Sequence, residues 1–176
     1  MIKDLEFCVG KGQLDGKRPT LCRAVWGKDG DIMELLFHVT AEWSGIGRQG
    51  EGTMHFGDMP VIYSAPANMG GKGSGTSPEE LLIAAVTACY SGTLMRVLAQ
   101  AHLPGTSVSI RTDGVVREYP INPHFAEIRV HPVIHGGDGD RWEAYNEAAH
   151  VARERCFIGR TVRDYLDYMV GEVTIA

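Results

Sequence analysis

No two cysteines of this sequence form a Cys-x-x-Cys pair, and the four thiols, Cys8, Cys22, Cys89 and Cys156, lie far apart along the chain. This spacing excludes a zinc finger, although a metal site built from distant residues stays open. Four cysteines in a short secreted protein would suggest two disulfides. In a reducing compartment they more often indicate catalytic, metal-binding or simply buried thiols.

The sequence also has no run of basic residues. Its 17 lysines and arginines are scattered, and with 22 acidic residues they give a formal net charge of −5. Binding to a phosphate backbone needs clustered positive charge. We therefore expect no nucleic-acid partner.

Long apolar runs are missing as well. The first residues, MIKDLEFCVGKG, alternate charged with apolar side chains and lack the apolar stretch of a secretory signal. The longest apolar-rich run, Leu81 to Cys89, is shorter than a helix that spans a bilayer. We expect a cytoplasmic protein without a membrane partner.

The composition is that of an ordinary globular protein, with 44% apolar and 22% charged residues. The length suits a single domain over residues 1–176. Short apolar segments between glycine-bearing turns predict an antiparallel meander of strands within residues 1–65. The patterns that follow predict, in order, a glycine-rich loop (65–77), a long helix, two strands (107–111 and 126–131), a second helix ending near Cys156 and a closing strand (172–175). This order predicts an α+β fold.

The start of the long helix is the clearest local signal. Ser77 can cap the helix, Pro78 suits the first helical position, and Glu80 completes a capping box. The following residues are apolar around most of the helix until Arg96, which predicts a core helix buried on nearly all sides. Pro104 and Gly105 are expected to end it.

Cys89 lies in the middle of this apolar helix. Considered alone, a cysteine there is more often a small buried hydrophobic residue than a nucleophile. Burial raises the pKa of a thiol, and the helix dipole fades within the first turn, far from Cys89. If Cys89 is reactive, a cation has to come to it.

Three stretches resemble the family of osmotically inducible and organic-hydroperoxide-resistance proteins. They are AEWSGIGRQG at 41–50, GTSPEELLIAAVTACYS at 75–91 and RERCFIG at 153–159. The likeness covers roughly residues 40–176. It implies a fold with antiparallel sheets around a long central apolar helix, in an intertwined homodimer.

The resemblance also implies a function, that of a thiol peroxidase acting on organic hydroperoxides and also, in some cases, on hydrogen peroxide. Cys89 matches the family's peroxidatic cysteine and Cys156 the resolving one, so a Cys89–Cys156 disulfide is implied. Arg48 matches the family's arginine, which supplies a cation for Cys89, and Glu79 matches the glutamate that holds this arginine. An external dithiol, such as a lipoylated protein, is the implied reductant. No bound cofactor or metal is predicted.

Helix geometry adds an expectation about assembly. Glu79 and Cys89 are ten residues apart on one helix, so they stand about 15 Å apart along its axis. They cannot share a site within one subunit. If both serve one active site, a second copy must supply Glu79, which predicts an isologous dimer with the long helices packed across a two-fold axis.

The sequence departs from the family at several places. Ser77 stands where asparagine is frequent, Phe157 stands where proline is common, and residues 1–40 form an N-terminal extension that is expected to add strands or to cover the pocket. Cys8 and Cys22, both in this extension, are expected to be structural. Two alternatives stay open, a protein of the same fold that binds an apolar ligand with Cys89 inert, and a redox sensor that uses the thiol pair without turnover.

Overall fold

The structure, a computed structural model, describes residues 22–26 and 33–176 and divides the chain after Gly75 into two compact units. Cys8 lies outside the described residues, and Cys22 begins the first described strand. The prediction of a single domain over residues 1–176 stays a prediction.

The described residues of the first unit form five strands in antiparallel pairs. They are β1 (Cys22–Trp26), β2 (Met33–Phe37), β3 (Thr40–Ser44), β4 (Glu51–Phe56) and β5 (Met59–Ser64). β1 pairs with β2, and β3, β4 and β5 form a meander in sequence order. The predicted antiparallel meander is therefore confirmed for the described strands. Strand β2 begins and ends two residues before the predicted segment 35–39.

The second unit begins with α1 (Pro78–Gln100), and the predicted capping box is present. The Ser77 hydroxyl accepts the backbone N–H of Glu80 at 3.2 Å, and the Glu80 carboxylate accepts the N–H of Ser77 at 2.9 Å. The helix ends before the predicted Pro104, because His102 adopts a left-handed conformation with φ 51°. At the start of α1, the capping box satisfies the backbone N–H groups of Ser77 and Glu80 without any contact to the rest of the chain.

The remaining elements complete one sheet with helices against it. They are β6 (Ser107–Arg117), β7 (His124–His135), α2 (Trp142–Arg155), α3 (Phe157–Val162), β8 (Asp167–Val170) and β9 (Thr174–Ile175). β6 pairs with β7 antiparallel, whereas β8 and β9 both pair with β7 in parallel. The α+β prediction is confirmed, with one difference, because this sheet is mixed rather than purely antiparallel.

The core of the second unit lies between α1, β7 and α2. Its fully buried side chains come from all three elements and include Tyr90, Leu94, Ile128, Ile134, Tyr145 and Ala152. Close approach of α1 to β6 depends on Gly114, since a Cβ there would lie 2.6 Å from Ile83 Cδ1. Such a contact would force the Ile83 side chain to shift.

The prediction that α1 is buried on nearly all sides is wrong for the single chain. One face packs into the core, but the small apolar residues Ala84, Ala85, Ala88 and Gly92 are exposed. By length and composition alone α1 would also qualify as a membrane span. This corrects the expectation drawn from the run Leu81–Cys89. The packing of its buried face instead makes α1 the core helix of the second unit.

Candidate functional site

Cys89 lies halfway along α1, partly exposed, and packs against the core of the second unit. Its helical neighbours Val86 and Tyr90 are fully buried. The sulfur therefore lies at the boundary between the packed face of α1 and its surface. Cys89 is a free thiol.

Cys156 lies at the break between α2 and α3. Its backbone is extended (φ −64°, ψ 115°), so the chain leaves α2 and starts α3 immediately afterwards. The Cys156 sulfur accepts the N–H of Gly159 at 3.3 Å, in the capping position that serine or aspartate usually takes. The thiol is free and completely buried.

The fold brings these two thiols together. The N–H of Ile158 donates to the Cys89 sulfur at 3.4 Å, and the thiol of Cys156 lies within hydrogen-bonding reach of the same sulfur. The turn that begins α3 thus provides backbone donors to both cysteines. A sulfur that accepts hydrogen bonds is stabilised as the thiolate.

The two thiols consequently differ in pKa. Burial by itself would raise the pKa of Cys89, but the N–H of Ile158, the thiol of Cys156 and the N–H of Phe157 outweigh it and lower that pKa below its usual value. Burial raises the pKa of Cys156, and the neighbouring Cys89 raises it further against the effect of the Gly159 N–H. The pair therefore favours a thiolate at Cys89 and a protonated thiol at Cys156.

Arg48 and Glu79 do not join the thiol pair within the second unit. Arg48 lies in the first unit, in the short 3-10 turn Gly47–Gln49, and its Nη1 donates to the carbonyl oxygen of Met69 at 2.8 Å. Glu79 is in the first turn of α1, ten residues before Cys89. Its Oε2 is buried without a hydrogen-bond partner among the residues that the structure describes.

Sequence reasoning missed the backbone donors of Phe157, Ile158 and Gly159. It assumed that only a cation could favour the Cys89 thiolate, whereas the amides of Ile158 and Phe157 also do so. The available signal was the glycine three residues after Cys156, because an N-cap side chain accepts the N–H of the third helical residue. Nothing in the sequence indicated that this turn lies over Cys89.

The sequence profile of the OsmC-like protein family matches residues 71–167, which include Glu79, Cys89 and Cys156. The chain belongs to the OsmC-like protein family. Among its relatives, an uncharacterized protein of Acinetobacter baylyi is 30% identical to this OsmC-like chain over 146 residues, covering 82% of it and 99% of the relative. The uncharacterized protein YmaD of Bacillus subtilis is 26% identical over 130 residues, covering 72% of this chain and 86% of YmaD.

Solved structures share the fold of this OsmC-like protein. The organic hydroperoxide resistance protein OsmC of Legionella pneumophila superposes with a TM-score of 0.61 at 24% identity, covering 79% of this chain and 98% of that one. The organic hydroperoxide resistance protein OhrB of Bacillus subtilis has a TM-score of 0.55 at 26% identity, covering 78% of this chain and 98% of OhrB. The family and the fold predicted from the sequence are thus confirmed, and the family is one of soluble proteins.

Proposed function

We propose that this OsmC-like protein is a thiol-dependent peroxidase that reduces organic hydroperoxides, and less readily hydrogen peroxide, to alcohols or water. The observation that carries the proposal is the pairing of two free thiols, Cys89 with a lowered pKa and Cys156 buried beside it. The name of OhrB, an organic hydroperoxide resistance protein that is 26% identical, supports the substrate class. The exposed alanines of α1 near Cys89 also favour an apolar peroxide over hydrogen peroxide.

The first step is attack of the Cys89 thiolate on the distal oxygen of the hydroperoxide. An S–O bond forms, the O–O bond breaks, and the alkoxide leaves and takes up a proton to become the alcohol. Sulfur supplies the electron pair and ends as a sulfenic acid. The guanidinium of Arg48 stabilises the thiolate and the negative charge that develops on the peroxide oxygens.

The second step joins the two cysteines. The Cys156 sulfur attacks the sulfenic sulfur of Cys89, so an S–S bond forms and the S–O bond breaks. The hydroxide that leaves combines with the Cys156 proton as water. Because Cys156 already lies beside Cys89, this condensation competes well with further oxidation of the sulfenic acid.

An external dithiol then reduces the disulfide by thiol exchange and is itself oxidised to a disulfide. The family resemblance makes a lipoylated protein our candidate for this reductant. A supply of reduced dithiol fits the cytoplasm, which keeps thiols reduced. We therefore place the reaction there.

The complete site is proposed to need two copies of the chain. Glu79 and Cys89 lie on one continuous helix about 15 Å apart, so Glu79 serves the Cys89 of a partner and holds Arg48 by a bidentate ion pair. Two features support this assembly. Glu79 Oε2 is buried without a partner among the described residues, and α1 exposes a face of small apolar side chains on which a second α1 can pack closely.

Peroxide treatment of the reduced full-length protein tests the reaction. We expect cumene hydroperoxide and tert-butyl hydroperoxide to produce a Cys89–Cys156 bridge, detected by peptide mass spectrometry, and sustained peroxide consumption with dihydrolipoamide. Cys89→Ser abolishes both, whereas Cys156→Ser abolishes the bridge and sustained turnover but still consumes peroxide once per site and accumulates oxidised Cys89. If neither bridge nor turnover is seen, the peroxidase proposal is wrong and an apolar-ligand-binding role is favoured. A bridge without turnover favours a redox sensor.

Mixing two inactive variants tests the composite site. Glu79→Ala chains and Cys89→Ser chains, mixed through partial unfolding and refolding, form mixed dimers in which one site has both an intact Cys89 and an intact Glu79. We expect such mixtures to recover activity, and sedimentation to give the mass of a dimer. Each variant mixed with itself is the control. No recovery in a mixture that contains mixed dimers would contradict the shared site.

A further inference from the structure

Tyr168 of β8 is buried against the turn that carries Cys156. The residue is 1% exposed, and a Cβ added to Gly159 would lie 2.2 Å from Cε1 and 2.9 Å from Cζ of its ring. Gly159 is also the residue whose N–H donates to the Cys156 sulfur. The phenol ring therefore packs directly on the turn that holds the second thiol.

Two further contacts fix the position of Tyr168. The Nε of Arg153 donates to the Tyr168 carbonyl oxygen at 2.6 Å, and the guanidinium carbon lies 5.8 Å from the centroid of the ring. In the sheet, Tyr168 is in parallel register with Ile128 of β7. These contacts hold the backbone and the ring of Tyr168 in place without any bond from the hydroxyl.

The hydroxyl itself has an unused donor. It is buried and makes no hydrogen bond, to sulfur included, among the residues that the structure describes. A buried hydroxyl in this situation is costly and therefore rare. The polar group beside it is the fully buried thiol of Cys156.

We propose that the Tyr168 hydroxyl turns to donate a hydrogen bond to the Cys156 sulfur when that sulfur becomes the thiolate that leaves on reduction of the disulfide, and so stabilises this thiolate. Its consequence for catalysis rests on the proposed peroxidase cycle. Tyr168 is then a positioning residue for the recovery step and has no contact with peroxide. It complements the Gly159 N–H, which donates to the same sulfur.

The direction of the exchange follows from burial. Cys89 is partly exposed and Cys156 is fully buried, so a thiolate of the external dithiol attacks the Cys89 sulfur. The new S–S bond joins the reductant to Cys89, the Cys89–Cys156 bond breaks, and Cys156 takes the electron pair as a thiolate. The second thiol of the reductant then attacks the reductant's first sulfur, the one bonded to Cys89. This closes the reductant's own disulfide and frees Cys89 as a thiolate. The two protons of the dithiol end on water or on the released thiolates.

Exchange is faster when the leaving thiol has a lower pKa, so a donor at Cys156 accelerates this step.

The titratable groups around the Cys156 sulfur come from two elements, Cys89 and Tyr90 from α1 and Tyr168 from β8. Burial raises the pKa of Tyr168, so its phenol keeps its proton through the pH range in which a thiol titrates. Tyr90 has a different partner, because its hydroxyl donates to the carbonyl oxygen of Ala149 at 3.1 Å. Tyr168 is thus the available side-chain donor.

Titration of Cys156 in the Cys89→Ser protein tests the inference without any peroxide chemistry. With cysteine labelled at ¹³Cβ, the NMR shift reports thiolate formation even for a buried thiol. We expect Tyr168→Phe to move the Cys156 midpoint upward by about one pH unit, the effect of removing one hydrogen bond to a charged group. Tyr145→Phe is the matched control, since the Tyr145 hydroxyl donates to the Pro104 carbonyl at 2.7 Å and should leave the midpoint unchanged.

The same substitution in the two-cysteine protein should slow reduction of the bridge by dithiothreitol roughly threefold or more. Equal Cys156 midpoints in the Tyr168→Phe and Tyr145→Phe proteins would overturn the proposal, even if the peroxidase activity is real. A displaced midpoint would support it even in the absence of turnover. If Tyr168→Phe does not fold, labelling with 3-fluorotyrosine makes the phenol a stronger donor and should lower the midpoint. No displacement there would equally overturn the proposal.

Discussion

The N–H of Ile158 donates to the sulfur of Cys89 at 3.4 Å, although the two residues are 69 positions apart in the chain. This contact gives the thiolate a fixed neutral donor within its own unit. Arg48, the cation proposed for this site, is therefore not needed as the only source of stabilisation for the thiolate. Its main contribution is expected to be toward the peroxide oxygens, where negative charge develops during the reaction.

Replacing Arg48 should separate these two contributions. We expect Arg48→Ala to slow peroxide turnover about a hundredfold, the usual effect of losing a donor to a developing oxyanion. The Cys89 pKa should nevertheless stay below that of a free cysteine, because the Ile158 donor remains. Steady-state kinetics and the pH dependence of Cys89 alkylation measure the two effects.

Two controls accompany this experiment. Arg48→Lys keeps the charge but loses the planar fork, so it should recover only part of the rate. Arg117→Ala removes the same charge from the exposed end of β6 and should leave turnover unchanged. An unaltered rate in Arg48→Ala would show that the family resemblance assigns the wrong cation.

The pH profile of Cys89 should depend on the donor at position 156. The thiolate is the form that iodoacetamide alkylates, so a lowered pKa places the half-maximal rate at a lower pH than for free cysteine. Cys156→Ala removes the neighbouring thiol donor and should move this midpoint upward. Cys156→Ser keeps a donor and should stay close to the wild type. Coincident profiles of the two variants would contradict a role for the Cys156 donor.

Gly159 should be intolerant of any side chain. A Cβ at this position would collide with the Tyr168 ring at 2.2 Å, so we expect Gly159→Ala to lower the free energy of unfolding by about 3 kcal/mol. Urea unfolding of the reduced protein measures this change. Gly139→Ala is the control, since no atom lies within 4 Å of a Cβ there, and its effect should stay within about 0.5 kcal/mol. Equal stabilities would show that the Tyr168 ring is not tightly held.

The cap of α1 should contribute measurably to stability. Ser77→Ala removes the acceptor for the Glu80 N–H and should cost about 1 kcal/mol in thermal or urea unfolding. Ser77→Asn preserves a capping oxygen and should be close to the wild type. If the asparagine variant loses as much as the alanine variant, the burial of Ser77 matters more than its hydrogen bond.

The start of α1 was predictable because a cap is a local property. Ser77 and Glu80 satisfy each other's N–H groups and Pro78 has no N–H to satisfy, all within four residues of sequence, so no tertiary contact is needed to recognise the cap. Strand β8 was missed for the opposite reason. Asp167–Val170 has only four residues, and its pairing with β7 depends on a parallel register far away in sequence.

The candidate site also has one part that the sequence indicated and one part that depends on tertiary packing. Cys89 and Cys156 were named through family resemblance, whereas the donors of Ile158 and Gly159 follow from the way α3 packs on α1. Apolar periodicity predicted that α1 is buried on nearly all sides, which is wrong for the single chain, because periodicity does not distinguish a face that packs into the chain's own core from a face that stays exposed. The exposed Ala84, Ala85, Ala88 and Gly92 mark the part that the single chain does not cover.

The position of the two thiols also affects the unfolded chain. A bond between Cys89 and Cys156 would close a loop over the 66 residues between them, which contain β6, β7 and α2. Restricting a loop of this length removes conformational entropy from the unfolded state and is worth about 4 kcal/mol in the chain-entropy model. The oxidised protein would thus melt at a higher temperature than the reduced protein, so the melting temperature would indicate whether the disulfide has formed.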